Sequence, residues 1–139
     1  MLLITSVLAW LLILCLAVAN GALREAVLIP SLGRSFGLVL SGVLLLSLLI
    51  ALVAYAFVRS RTRLSPAQGM FVGVFWLFLT LVFEFGFGRL VQHKSWSELL
   101  DAYTFNGGNI WPVVLLVTLL APYIAAVVRS RSIDAQRGA

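Results

Sequence analysis

Charge, cysteine and histidine are all scarce in this chain of 139 residues. Charged side chains make up 11% of it, whereas 62% of the residues are hydrophobic and the mean hydropathy is +1.08. This composition lies outside the range of soluble globular proteins. The single cysteine, Cys15, excludes an intrachain disulfide and is interpreted as a packing residue. The single histidine, His93, has no cysteine or carboxylate at metal-ligand spacing, so we expect neither a metal nor a cofactor.

Recognisable catalytic motifs are missing as well. No glycine-rich phosphate loop follows a strand, and no strand is expected. The net charge of +5 does not indicate nucleic-acid binding, because the basic residues fall at helix ends and not on one soluble face. We therefore predict a protein that is not an enzyme and that does not bind nucleic acid.

Long apolar runs dominate the chain instead. A membrane-spanning helix needs about 20 apolar residues, and four stretches meet this requirement. We predict an all-α membrane protein with one four-helix transmembrane domain, the spans covering about 2–28, 35–58, 66–88 and 110–129. In the third loop, Ser95-Trp96-Ser97-Glu98 matches a capping box and predicts a short interfacial helix over about 96–103.

Two interpretations of the first run stay open. Ala17-Val18-Ala19 is typical of a signal-peptide cleavage site. However, no Lys or Arg precedes the run, which is longer than the roughly 7 to 15 apolar residues of a cleaved signal. These two departures favour a retained helix.

Basic residues are distributed unevenly between the two ends of the predicted helices. Six follow the second and fourth spans, namely Arg59, Arg61, Arg63, Arg129, Arg131 and Arg137. Four lie at the opposite end, namely Arg24, Arg34, Arg89 and Lys94. Because basic residues concentrate on the cytoplasmic side of membrane proteins, this bias predicts that both termini are cytoplasmic.

Glu84 is the most informative polar residue, because it lies inside the third apolar run. A carboxylate within hydrocarbon is costly unless a partner compensates it. A rise of about 1.5 Å per residue from Pro66 puts Glu84 roughly 27 Å along its helix, near the outer edge of the bilayer.

Helix topology brings further polar residues to the same membrane edge, because the first and third spans end there and the fourth begins there. We expect Glu84 to pair with Arg24 or Arg89. The whole group forms a predicted buried polar cluster of Glu84, Arg24, Asn20, Glu25, Arg89, Asn106 and Asn109. Its favoured role is a structural clasp between helices, and a proton relay or ion path is the alternative.

Two further sets of residues mark helix contacts and membrane interfaces. Small residues allow close helix approach, and the predicted packing positions are Gly69, Gly73, Gly37 and Ser41. Aromatic residues with a polar group favour the membrane surface, and the predicted outer anchors are Trp96, Tyr103 and Trp111.

Three motifs together resemble a family of short bacterial four-span membrane proteins that is uncharacterised. They are Asn20-Gly21-Ala22-Leu23-Arg24-Glu25 with Pro30 and Gly33, Phe83-Glu84-Phe85-Gly86-Phe87-Gly88, and Ser95-Trp96 with Leu99 and Leu100. The resemblance covers most of the chain and implies a bacterial inner-membrane protein, without implying an activity. Members of the family carry histidine or tyrosine where this chain has Arg89.

Three functions remain as hypotheses. The favoured one is a homo-oligomer in membrane lipid with a channel or transport role, because four short helices hardly enclose a path and Gly69-x-x-x-Gly73 offers a contact surface. The second is an accessory or scaffold subunit that binds another membrane protein. The third is a small membrane enzyme that uses Glu84 as its acid or base.

Overall fold

The structure is a computed structural model that describes residues 2–59 and 63–139. These residues are mostly helical and contain no strand, which confirms the predicted all-α class. Arg61, one of the basic residues behind the predicted orientation, lies outside the described residues.

Within the described residues, four helices are long and apolar enough to cross a membrane, which indicates a multi-pass membrane protein. In chain order the helices are α1 (Leu2–Leu32), α2 (Arg34–Phe57), α3 (Pro66–Leu90), the short α4 (Trp96–Asp101) and α5 (Trp111–Arg137). The last turn of α2 is π-helical, and this π-helical segment, Ala54–Arg59, continues two residues beyond it. The last span is longer than the predicted 110–129, and α4 is shorter than the predicted 96–103.

Helix α1 extends beyond its predicted end near residue 28. It changes from α-helical to π-helical geometry at Arg24–Leu28 and returns to α-helix at Ile29–Leu32. Pro30 has no N–H to donate, and its ring would clash with the preceding turn of an α-helix. The wider π-helical turn just before Pro30 relieves this clash. The helix ends at Gly33, whose φ of +85° favours glycine.

A tight turn at Gly33 folds α2 back against the end of α1. A Cβ at Gly37 would lie 3.0 Å from the backbone nitrogen of Ile29, so only glycine permits this approach without a shift. Gly37 is therefore a packing position inside one α1–α2 hairpin.

Helix α3 begins at a capping box, in which Ser65 Oγ accepts the N–H of Gln68 and Pro66 occupies the first turn. Its glycines then allow close packing on α5. A Cβ at Gly69 would lie 2.6 Å from the carbonyl oxygen of Pro122, and one at Gly73 would overlap the carbonyl oxygen of Leu119. The expectation that Gly69-x-x-x-Gly73 offers a surface to another subunit is wrong, because α5 of the same chain already covers it.

The densest part of the core lies toward the end of the bundle that carries both termini, which we call the terminal end. Trp76, Phe57 and Val72 have no exposed surface there, and the rings of Trp76 and Phe57 lie 5.8 Å apart. Trp76 Nε1 donates to the carbonyl oxygen of Ser6 at 2.9 Å, and Arg129 donates to that of Phe57 at 3.1 Å. Large side chains therefore close the bundle at this end.

The four long helices do not all pack against one another equally. Helix α1 packs mainly on α2 and α3 mainly on α5, whereas α1 and α3 touch only slightly. One link between them is a hydrogen bond of 3.1 Å from Trp10 Nε1 to Thr80 Oγ1. The two helix pairs therefore leave space between them beyond Trp10.

Candidate functional site

That space is a cavity of about 340 Å³ between α1, α2, α3 and α5, which we call the Glu84 cleft. Its inner end is apolar and is formed by residues such as Ile13, Leu45 and Leu49. Thr80 bonds Trp10 at the inner limit, and polar side chains line the part farther out, namely Asn20, Ser41, Glu84, Asn109 and Trp111. Charged residues surround the mouth, namely Arg24, Lys94 and Glu98. The cleft thus combines an apolar inner end with a polar, charged opening.

Glu84 is held in the wall of the cleft by two neutral donors. Its Oε2 accepts a hydrogen bond from the Tyr103 hydroxyl at 2.7 Å and another from Trp111 Nε1 at 2.9 Å. Burial, followed by the hydrogen bond to Glu84, raises the pKa of Tyr103, so its hydroxyl stays protonated and continues to donate. The ring of Phe85 stacks on that of Tyr103 with centroids 6.0 Å apart and supports its position.

The second carboxylate oxygen of Glu84, Oε1, accepts no hydrogen bond from the residues that the structure describes. The same is true of Asn20 Oδ1, although Asn20 is only 7% exposed and its amide nitrogen donates to Ser41. Both residues line the cleft. Two acceptors are therefore available to a bound molecule.

The predicted pairing of Glu84 with an arginine is wrong. Arg24 Nε instead contacts Oε1 of its exposed neighbour Glu25 at 3.1 Å. Arg89 donates to the carbonyl oxygen of Lys94 at 2.8 Å, and its guanidinium carbon lies 5.1 Å from the ring centre of Trp96. Tyr and Trp donors satisfy the carboxylate without the desolvation of a cation, which is the costly part of a buried ion pair.

The structure brings together only part of the predicted buried cluster. Glu25, Arg89 and Asn106 are exposed and do not line the cleft, which corrects their assignment to it. Asn106 instead contacts Asp101 Oδ1 at 3.4 Å, within the loop. Their positions at helix ends and in the loop leave these side chains in contact with the surroundings.

Asn20 and Asn109 line the cleft and also perform local structural work. Asn20 Nδ2 donates to Ser41 Oγ at 2.8 Å and to its carbonyl oxygen at 3.1 Å, which joins α1 to α2. Asn109 Oδ1 accepts the backbone N–H of Trp111 at 3.0 Å and so fixes the start of α5. The cluster around Glu84 consequently retains Arg24, Asn20 and Asn109.

Sequence reasoning missed the role of two aromatic residues. Trp96 is exposed, whereas Tyr103 and Trp111 are half-buried and bind Glu84. One signal for this role was present, because both residues carry a hydrogen-bond donor and lie on a segment that must cross the end of α3.

Helix α4 covers part of the mouth of the cleft. The capping box at Ser95 is present, and the backbone N–H of Ser95 is the main cause of the lowered pKa of Glu98. Leu99 is buried against α3 at Gly88, where a Cβ would overlap the Leu99 side chain. Close contact with α3 therefore anchors α4 over the cleft.

No family model, curated protein or solved structure matches the chain. The resemblance to the bacterial four-span family consequently stays a prediction. Among residues 2–59 and 63–139, no group of three or more histidine, cysteine or acidic side chains is placed to hold a metal ion.

Proposed function

We propose that this protein is a non-enzymatic protein of the bacterial inner membrane that binds a small polar or amphipathic molecule in the Glu84 cleft and takes part in its transport. The observation that carries the proposal is that Glu84 lines a cleft inside a membrane-spanning bundle while its Oε1 accepts no hydrogen bond from the described residues. A carboxylate at such a site is typical of a substrate or ion pathway.

The shape of the cleft supports binding over a purely structural clasp. A clasp between helices requires no cavity, and unfilled space in a packed core lowers stability. The volume of about 340 Å³ falls within the range of small-molecule sites, roughly 300 to 1,000 Å³. Two donors from the loop and α5 orient the carboxylate before a ligand arrives, which reduces the entropic cost of binding.

The groups around Glu84 support binding over catalysis. An acid or base usually acts on a reacting group together with a nucleophile or a second titratable group. Among the described residues, Tyr103 is the titratable group that hydrogen-bonds Glu84, and its raised pKa keeps it protonated and makes it a weak acid near neutral pH. We therefore propose that Glu84 holds a ligand and does not transfer protons to one.

The distribution of basic residues supports an orientation with both termini in the cytoplasm. With both termini in the cytoplasm, the mouth of the Glu84 cleft faces the outer side of the membrane. Cargo would enter from that side or from the outer leaflet.

A homo-oligomeric channel is the second candidate, favoured by the closed terminal end of the bundle. Because Trp76, Phe57 and Val72 fill that end, a continuous path is easier to form between subunits than through one chain. Native mass measurement in mild detergent tests this candidate. Oligomers of one size would support it, and monomers alone would contradict it, as would a different membrane protein co-purifying at fixed stoichiometry.

The transport proposal is tested in liposomes that contain the purified chain. We expect uptake of at least one member of a panel of inorganic cations, small amines, zwitterions and short-chain fluorescent phospholipids, and its loss in Glu84→Gln. Asp134→Asn is the matched control, because it removes one acidic charge from an exposed position at the end of α5. Unfolding temperatures of all three proteins check that the variants fold. Wild-type liposomes that take up no panel member faster than protein-free liposomes would contradict the proposal.

A further inference from the structure

We infer that the ligand of the Glu84 cleft is a phospholipid with a primary ammonium in its head group. The ammonium binds Glu84 Oε1, the phosphate lies between Arg24 and Lys94, and the acyl chains leave the cleft between α1 and α3. This inference rests on the proposed function, since it names the ligand of the same site.

The order of charges along the cleft indicates a zwitterion. The open acceptors, Glu84 Oε1 and Asn20 Oδ1, lie inside, so the inner part suits a hydrogen-bonding cation. The cations Arg24 and Lys94 lie at the mouth and suit an anion. A head group that carries an ammonium and a phosphate a few bonds apart matches both regions at once.

Arg24 and Lys94 at the mouth of the cleft are placed to bind a phosphate. Arg24 uses Nε to contact Glu25, while its Nη2 lies over Gly21, which also lines the cleft. The Lys94 side chain makes no ion pair or hydrogen bond with the residues that the structure describes, and its ammonium is near enough to Glu84 and Glu98 to attract both carboxylates. Glu98 at the same mouth would oppose a phosphate, but its Oε2 accepts the Ser95 N–H at 2.7 Å and is thereby partly satisfied.

The side of the cleft is open toward the hydrocarbon. Val18 of α1 and Phe87 of α3 line the cleft and are apolar, yet 57% and 40% of their surface is exposed. Since α1 and α3 touch only slightly, the gap between them is an apolar exit. A soluble zwitterion has no apolar part to place in this gap. A phospholipid can place its head group in the cleft while its acyl chains pass through the gap and remain in the bilayer.

The depth of Glu84 agrees with a head group. Glu84 precedes the end of α3 at Leu90 by six residues, which corresponds to about 9 Å along the helix axis. The carboxylate therefore lies just inside the membrane surface, where an ammonium can reach it without its phosphate leaving the interface.

The number of protons on the nitrogen gives a sharp test. A primary ammonium donates hydrogen bonds to Glu84 Oε1 and Asn20 Oδ1, but a quaternary ammonium has no N–H to donate. We expect the purified chain in detergent to bind short-chain phosphatidylethanolamine about tenfold more tightly than phosphatidylcholine with the same chains. Native mass spectrometry reports the binding, as does a change in tryptophan fluorescence, to which the cleft residues Trp10 and Trp111 contribute.

Variants assign the contacts. Glu84→Gln should abolish the preference for the primary ammonium, and Lys94→Gln should weaken both lipids by a similar factor. Asp134→Asn and Arg137→Gln, at exposed positions of α5, are the controls and should change neither. A preference retained in folded Glu84→Gln would overturn the inference.

Two wild-type measurements test the inference without any variant. Equal binding of the two lipids would overturn the ammonium assignment. Binding of soluble phosphoethanolamine as tight as that of the lipid would overturn the assignment to a lipid.

If small amines bind in a Glu84-dependent way but the lipid does not, only this inference fails. If no probe binds in a Glu84-dependent way, the proposed function fails with it.

Discussion

Replacing Gly73 by alanine should force α3 away from α5. The added Cβ would overlap the carbonyl oxygen of Leu119, which belongs to the backbone of α5 and cannot rotate away. Inserting one carbon into a tight contact costs about 1–3 kcal/mol, and a rigid backbone neighbour favours the upper part of that range. We therefore expect Gly73→Ala to lower the free energy of unfolding by about 2–3 kcal/mol.

Gly86 provides the matched control in the same helix. A Cβ at Gly86 would have no neighbour within 4 Å, so Gly86→Ala changes the same chemical group without a clash. Its expected effect is neutral or a stabilisation of up to about 1 kcal/mol, because alanine favours helix more than glycine does. Unfolding of both variants is followed by circular dichroism in one detergent. Equal stabilities of Gly73→Ala and Gly86→Ala would refute the close α3–α5 contact.

Three further predictions concern the cleft. Trp111→Phe removes one donor to Glu84 and should lower the free energy of unfolding by about 0.5–1.5 kcal/mol in a denaturant series. Asn20→Ala should cost about 1–3 kcal/mol in the same assay, because it leaves Ser41 without its partner. In the unfolded chain the Tyr103 hydroxyl has its ordinary pKa of about 10, whereas in the folded chain its pKa is raised. The hydroxyl therefore stays protonated in the folded chain at a pH where it is deprotonated in the unfolded chain. Stability should thus be intact below about pH 10 and fall above it, less so in Tyr103→Phe; an unchanged alkaline profile in that variant would contradict the contact with Glu84.

The number and course of the spans could be predicted because hydropathy alone determines them. Four apolar runs of sufficient length leave little chain for anything else, and Ser65 and Ser95 mark two helix starts through local hydrogen bonds. An apolar run and a helix-start motif are each formed by residues that are consecutive or nearly so in the chain. A single sequence is therefore enough to recognise both.

The partners of individual side chains could not be predicted in the same way. Small residues at Gly69 and Gly73 indicate that a helix packs closely there, but not whether that helix belongs to the same chain. Charge complementarity suggested an arginine for Glu84, whereas the path of the loop brings Tyr103 and Trp111 to it instead. The position of the acid followed from helix rise, while its ligands depended on tertiary structure.

Infrared difference spectroscopy of the Glu84 carboxyl group measures whether Glu84 binds a ligand. Short-chain phosphatidylethanolamine and the solutes of the transport panel are added in turn to the wild-type chain and to Glu84→Gln, with Asp134→Asn as the control. A ligand on Oε1 should shift a carboxyl band in the wild type and in the control, and the shift should be absent in Glu84→Gln. If every added compound leaves the carboxyl bands unchanged, or if the shift persists in Glu84→Gln, Glu84 is not a ligand-binding group. Either result would contradict the proposed function.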